Sequence, residues 1–578
     1  MMRLFFLLLL FQSNILFSQK FLYVDAINGN DSFNGNSLQT AFKTIKRAKN
    51  EVRTINQNIQ SDIIIEMRKG TYALDSTLVF NEKDNGNNGF SIMYEAYQCE
   101  RPIITGGDVI SHWTIYNKEK NIFKASCPND ANARQFYVNG IRAIRARSSD
   151  ASDWKENGDG YDCPSSIALW KNRKDIEIIS YKEWKCHRGH IATIINNHAT
   201  MDQPYWNFVH KQYDAPPVYI ENALELLDSE NEWYLDAKMH TIYYKPNKKE
   251  DIETIHCVLP RLEKLITCNN LSNIQFNGLL FSNTTWLQPN NDSGFACLQA
   301  DIINDRKTQI PGTIVLQYCS NIQFNSCQFE HLGATALQLF DGCKNIIVYN
   351  NTFTDISASA IAVGNILKPF ASPKDVIKDI KIINNNIFDI AKEYKGSVGI
   401  FAAYTDNLTI IHNDFKQLPY TAISLGWGWS NEITIAKNNE ISFNRIDSVV
   451  LLLKDGGAIY TLSAQPGTTI HHNYISNQPN GSGALYPDQG SSYMNWNNNV
   501  VKDVSRWIHI WTSTIKNDTI ENNYHNNLDE LLKGENNRIQ NNELVRNGNW
   551  SNEALNIIMT VGREKTKGCV PVFSDLSK

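Results

Sequence analysis

The sequence predicts an all-β chain: a right-handed parallel β-helix, a solenoid of stacked coils, carrying an inserted β-rich, sandwich-like domain. Three observations predict it. A short unit of alternating apolar residues recurs through the second half at steps near two dozen residues, the signature of a repeat architecture. An Asn stands at one fixed place in most copies. Between 107 and 260 the repeat is absent, and tryptophans stand among charged turns.

The unit reads apolar, x, apolar, x, x, Asn, x, apolar. It runs as Ile322-Gln323-Phe324-Asn325-Ser326-Cys327-Gln328-Phe329, with Cys in the Asn place, then as Ile346 to Phe353 around Asn351. Further copies centre on Asn385, Asn413, Asn438, Asn473, Asn499, Asn523 and Asn542, with an earlier one at Leu279. From 327 onward the steps are 24, 34, 28, 25, 35, 26, 24 and 19 residues. Alternation of period two means strand. The leucine frame of a leucine-rich repeat is missing. A β-helix explains the unit: alternate side chains fill a narrow core, while Asn tolerates a left-handed bend and its amide bonds to the Asn one coil above.

In chain order, Met1-Met2-Arg3, the apolar run Leu4 to Phe11 and a small-residue exit near Ser18 have the layout of a secretory signal peptide over 1–18. The run is far shorter than the roughly 20 residues of a membrane span. A secreted or periplasmic protein, cut near Ser18, is expected. Residues 19–106 read as an N-terminal cap and first coils, with Ile45, Ala48 and Val52 on one helical face. Residues 107–260 read as the insertion, with a hairpin at Glu232 to Tyr244. Residues 261–548 carry the β-helix and the site, and 549–578 form a tail outside the repeat that packs as a cap.

Composition narrows the function classes. With 42% apolar and 20% charged residues and a net charge of −5, the chain is neither disordered nor a nucleic-acid binder. Eleven cysteines form no disulfide framework, and only Cys257/Cys268 and Cys163/Cys186 stand as possible bridges. His187, His190, His198 and His210 lack metal-site spacing. No metal and no cofactor is expected, and the expected partner is a carbohydrate substrate met by a monomer.

The chemistry gathers between Leu451 and Met494. Asp455-Gly456-Gly457-Ala458-Ile459-Tyr460 falls in the 35-residue step, and Asp488 follows Asp455 by 33 residues, close to one coil. Residues one coil apart lie roughly 5 Å apart, compatible with the paired carboxylates that cleave a glycosidic bond. Gly426-Trp427-Gly428-Trp429 comes one coil earlier, and two Trp flanked by Gly read as an exposed platform for a sugar ring. Tyr460 and Tyr486 are candidate donors to sugar hydroxyls. Gln489, Trp507, His509 and Trp511 would close the cleft.

Taken together, Arg134-Gln135-Phe136-Tyr137-Val138-Asn139-Gly140, the hairpin at Glu232, Gly426-Trp427-Gly428-Trp429, Asp455 to Tyr460 and Pro487-Asp488-Gln489-Gly490-Ser491-Ser492 resemble the exported right-handed β-helix proteins grouped with glycoside hydrolase family 141, described as α-L-fucosidases and xylanases. The resemblance implies a retaining glycoside hydrolase acting on a plant or algal polysaccharide, with Asp455 and Asp488 as its catalytic pair. Asp455 is given the nucleophile role and Asp488 the acid/base role. Two other functions fit the same architecture: a polysaccharide lyase, which needs a cation near its base, and a non-catalytic carbohydrate-binding protein.

Overall fold

A computed structural model of the chain describes residues 19–210, 215–291, 294–303 and 306–565. The signal-peptide reading falls on residues 1–18, outside the described residues. Among the described residues no helix is long and apolar enough to cross a membrane.

The chain winds into a right-handed parallel β-helix with three long parallel sheets of thirteen, twelve and eleven strands. One coil shows the order: Lys344–Tyr349 lies in the first sheet, Thr352–Ile356 in the second and Ile361–Val363 in the third. Each strand pairs in parallel with its counterpart one coil on, as Ile346↔Ile380, Phe353↔Ile387 and Ile361↔Ile400. The alternating apolar residues point inward and stack in files. Phe276 lies 5.0 Å from Phe324, and Phe329 lies 4.5 Å from Phe353, both as stacked rings. The helix Ile45–Ile55 is capped by the Thr44 hydroxyl and buries Ile45, Ala48 and Val52 against the first coils.

The bend between the first and second sheets divides its work between two residues. The left-handed conformation belongs to the residue before the repeated Asn: Asn350, Asn384, His412, Phe443 and His472 all have φ between 53° and 61°. The repeated Asn itself is buried and bonded along the solenoid axis. Asn385 Nδ2 donates to Asn413 Oδ1 at 2.9 Å, Asn413 to Asn444 at 3.0 Å, Asn444 to Asn473 at 2.9 Å and Asn473 to Asn499 at 3.0 Å. Each Nδ2 also donates to a carbonyl of the preceding coil, as Asn444 does to Ile410 O at 2.9 Å. His471 lies outside this ladder, and His472 only precedes it, its ring stacked on Phe443.

One step of the repeat is corrected. The ladder residue is Asn444, while Asn438 is exposed at a different turn. Asn439 replaces the first apolar residue of that copy and spends its side chain on Leu408 N and Gln465. The apolar pattern therefore matches six residues too early, at Ile433-Thr434-Ile435. The steps around it are 31 and 29 residues rather than 25 and 35, so Asp455 does not sit on the most lengthened coil. Among the steps from Cys327 onward, the 34-residue one from Asn351 to Asn385 is the longest.

The segment from Gly107–Ile110 to Cys257–Pro260, which pair antiparallel, leaves the solenoid and returns to it. It contains the hairpin Glu232–Asp236/Thr241–Lys245, with Trp233 opposite Tyr244. A second hairpin, Glu177–Lys182/Lys185–Ile195, extends back over the solenoid, where it pairs with Phe295–Cys297. Cys163, Cys186, Cys257 and Cys268 are all free buried thiols, so neither possible bridge forms. His190 bonds backbone carbonyls, and His198 lies between Asp159 and Asp162. Beyond the last coil, the helix Asn552–Thr560 packs Ala554 and Ile557 on Val500 of the second sheet.

Replacing a ladder Asn by Ala strands several buried donors and acceptors at once. Asn444→Ala is expected to lower stability by about 3 kcal/mol or more, read from chemical denaturation. Asn438→Gly, which suits its positive φ, is expected to change stability by less than about 0.5 kcal/mol.

Candidate active site

The third sheet carries the site on its outer face. Its strands Ile423–Leu425, Ile459–Thr461, Leu485–Pro487 and Ile508–Ile510 are stacked in register, and their central residues form one outward file. Ser424 pairs with Tyr460, and Tyr460 with Tyr486. The Tyr460 and Tyr486 rings meet edge to face at 5.1 Å, and Tyr486 meets His509 in the same way at 4.8 Å. Strand alternation explains the file: Ile459 and Leu485 fill the solenoid core, so their neighbours must face out.

Asp455 enters from the loop before Ile459, and Asp488 follows directly on Leu485–Pro487. Both line one cavity of about 470 Å³, together with Trp427, Trp429, Tyr486, Gln489, His509 and Trp511. The file brings them together because each carboxylate is held by a tyrosine of it: Tyr460 OH donates to Asp488 Oδ2 at 2.5 Å, and Tyr486 OH donates to Asp455 Oδ1 at 3.3 Å. The two tyrosines therefore position the carboxylates rather than standing free for sugar hydroxyls. A larger cavity, about 700 Å³, lies under the helix Ile45–Ile55 at the first coils, remote along the solenoid from these carboxylates. The smaller one holds the paired carboxylates.

The two carboxylates differ in environment. Asp488 is 8% exposed, and both its oxygens accept: Oδ2 from Tyr460, and Oδ1 from Trp511 Nε1 at 2.7 Å. The direction of the first bond is fixed from outside, because Gln299 Nε2 donates to Tyr460 OH at 3.1 Å and leaves the phenol proton for Asp488. This is the hydrogen-bonding pattern of an ionised carboxylate. Asp455 is half-buried and accepts from Ser482 Oγ at 3.0 Å, while Tyr420 OH takes its backbone carbonyl at 2.5 Å. Burial is the largest influence on the Asp455 carboxyl and pushes it above the usual range. The nearby charge of Asp488 adds to that, against the hydrogen bonds from Ser482 and Tyr486.

Around the pair, burial pushes Tyr420 and Tyr460 well above the ordinary phenol value, with the charges of both aspartates adding to it at Tyr420 and that of Asp488 at Tyr460, so both stay donors. His509 is lowered to about 4, first by burial and then by the Arg506 guanidinium, and is neutral near pH 7. Arg506 Nη1 lies 2.7 Å from His509 Nδ1. Arginine can only donate, so Nδ1 accepts and the proton sits on Nε2. Arg506 is itself tied to Asp529 at 3.1 Å.

The aromatic reading changes in three places. Trp427 is 7% exposed and packs edge-on to Phe401, so it is mostly core. Trp429 is 39% exposed, its ring tilted 64° to that of Trp427 at 5.0 Å, because Gly428 takes φ +88° and breaks the strand alternation that would have aligned them. Trp507 is buried, donates to Glu530 and stacks on His525, so it does not close the cleft, whereas Trp511 reaches it.

Several cavity residues escaped the sequence reading. Trp184, at the tip of the hairpin from the insertion, and Gln299, between the insertion and the coils, line the cavity, and the tip is tied to the Asp455 loop by Lys454 N donating to Glu183 O at 3.0 Å. Arg306 reaches over the Trp429 ring at 5.9 Å. None of these belongs to the repeat, which was the signal that located the others.

Solved structures share this fold. One, described as "Glycoside hydrolase", is 23% identical, covers 94% of this chain and 99% of its own, and superposes with a TM-score of 0.79. Another, described as "The complex structure of XylC with xylose", is 15% identical, covers 87% of this chain and 75% of its own, with a TM-score of 0.51. No family model matches the chain, and no curated protein matches it.

The Asp455 carboxyl, followed by carbon NMR across pH, is expected to titrate above the usual carboxylate range. In Asp488→Asn its midpoint is expected to move down, because a neutral amide no longer opposes ionisation next to it. An unmoved midpoint would assign the whole effect to burial.

Proposed function

We propose that the protein is an exported glycoside hydrolase that acts with retention of configuration, with Asp488 as nucleophile and Asp455 as acid/base. One observation carries the division of roles: the two carboxylates share a cavity, yet both Asp488 oxygens accept hydrogen bonds while the Asp455 carboxyl is pushed up by burial. Environments that separate two carboxyls in this way separate their chemical roles. This reverses the order in which the resemblance to family 141 was applied to the pair.

In the first step Asp488 attacks the anomeric carbon while Asp455 gives its proton to the departing glycosidic oxygen, leaving a glycosyl ester on Asp488. In the second, Asp455, now ionised, takes a proton from water, and the water oxygen displaces Asp488 from the anomeric carbon. Retention is supported by the two tyrosines that hold the carboxylates, which sit on adjacent strands at a spacing of about 4.8 Å. Trp429 and Trp511 would carry the sugar, with Gln489 and the Nε2–H of His509 at its hydroxyls. An α-L-fucoside or a xylan is the proposed substrate. The family resemblance supports both, and the xylose complex of one similar fold supports the second.

Kinetics of two variants test the roles. Asp455→Asn is expected to lower kcat on glycans by about 10²–10⁴-fold while sparing the bond-breaking step on aryl glycosides with good leaving groups. Asp488→Asn is expected to abolish both. In the wild type the rate should fall as pH rises through the Asp455 ionisation, because the proton the leaving oxygen needs is then gone. Two fully active variants would discard the site, and an ultraviolet-absorbing unsaturated product from a polyuronate would replace hydrolysis by elimination.

A further inference from the structure

A second cavity, about 510 Å³, lies where the insertion's segment Ile141 to Arg147 faces the loop Asp389 to Lys395 of the solenoid. Its floor is an ion network that closes on itself. Arg134 and Arg145 reach Glu177 at 2.6 and 2.7 Å, Arg188 reaches Glu221 at 2.5 Å, and Arg142 reaches Asp355 at 2.6 Å and Glu393 at 3.3 Å. At the rim, Lys392 pairs with Asp389 at 2.7 Å.

Two cations are left over. Among the described residues neither Arg147 nor Lys395 has a carboxylate within ion-pair distance, although both line the cavity. Arg147 is exposed, with its guanidinium over the Tyr219 ring at 4.9 Å. Lys395 is half-buried, and burial, followed by the charge of Lys392, lowers its ammonium to about 8. With Glu177 behind the wall counted, seven cationic side chains meet five carboxylates, an excess equal to these two.

The backbone that carries the lysine is held in place. The loop carrying it is pinned to the preceding coil by backbone bonds from Ala391, Lys392, Glu393 and Tyr394 to Ala358, Ile356 and Ser357. At Gly396, the next residue, an added Cβ would lie 2.7 Å from Leu298 O and 3.0 Å from Trp184 O. A desolvated ammonium without a counter-ion is costly. Sharing an open cavity with a second unpaired cation, Arg147, it offers a site for an anion.

We propose that this cavity binds an oxyanion, a sulfate, phosphate or carboxylate group, between Lys395 and Arg147, either as the free ion or carried on a sugar. The strand Lys185–Ile195 links it to the catalytic cleft: Arg188 faces the anion cavity, and Trp184, just before the strand, faces the cleft. The proposal is independent of the catalytic roles, and its test reads binding rather than turnover.

Calorimetric titration of the full chain with sodium sulfate, inorganic phosphate, glucuronate and glucose at constant ionic strength tests it. One anion per chain is expected, with no binding of glucose, and at least tenfold weaker anion binding in Lys395→Met and in Arg147→Ala. Lys395→Met keeps most of the aliphatic length of the side chain and removes the buried ammonium, so its melting curve in chloride should match or exceed that of the wild type. Tighter binding of sulfate or phosphate assigns the site to a free oxyanion, and tighter binding of glucuronate assigns it to a sugar-borne one. Failure of all three anions to bind, or equal binding by both variants, overturns the proposal.

Discussion

A buried asparagine amide, repeated once per coil and bonded to the one above, is the constraint from which the rest of this structure follows. The amide satisfies two backbone groups and two neighbouring side chains at a bend where water cannot reach, and an unpaired buried group there is expensive. Each coil is thereby locked in register with the next whatever the length of its loops, which vary from 19 to 34 residues per step. Loops are free to lengthen because the coil beneath cannot slip.

Register at the ladder becomes geometry at the site. Because the third sheet is held in step with the first, Tyr460 and Tyr486 stack directly, one strand apart, and each carries one carboxylate. The carboxylates are then differentiated by elements outside the repeat. Gln299 sets the direction of the Tyr460 hydroxyl bond, Trp511 occupies the other Asp488 oxygen, and the loop holding Asp455 is tied down by Tyr420 and by the hairpin from the insertion. The solenoid supplies proximity, and the irregular segments supply the difference in environment between the two carboxylates.

That split explains what was legible in the sequence. The repeat was readable wherever the unit was complete, as at Asn351, Asn385 and Asn413, and it misled where Asn439 took an apolar place, so that Asn438 stood in for Asn444. The meeting of Asp455 and Asp488 in one cavity was readable from a spacing of about one coil. The tryptophan platform was not, since it assumed strand alternation across Gly428, whose φ of +88° turns Trp427 inward. The hydrogen-bonding duty of Tyr460 and Tyr486, the burial of Trp507, and the contributions of Gln299 and Trp184 depend on contacts between segments far apart in the chain, which no local pattern records.

In the proposed mechanism Asp488 forms the covalent bond to the sugar. Incubation with 2-deoxy-2-fluoro-glycosyl fluorides of the fucosyl and xylosyl series, followed by peptide mass spectrometry, tests it directly. A single fluoroglycosyl adduct is expected on the peptide containing Asp488, absent from Asp488→Asn and retained in Asp455→Asn. An adduct on Asp455 would exchange the two roles, and turnover of natural glycans with inverted configuration and no adduct on either aspartate would rule out a covalent intermediate on Asp488.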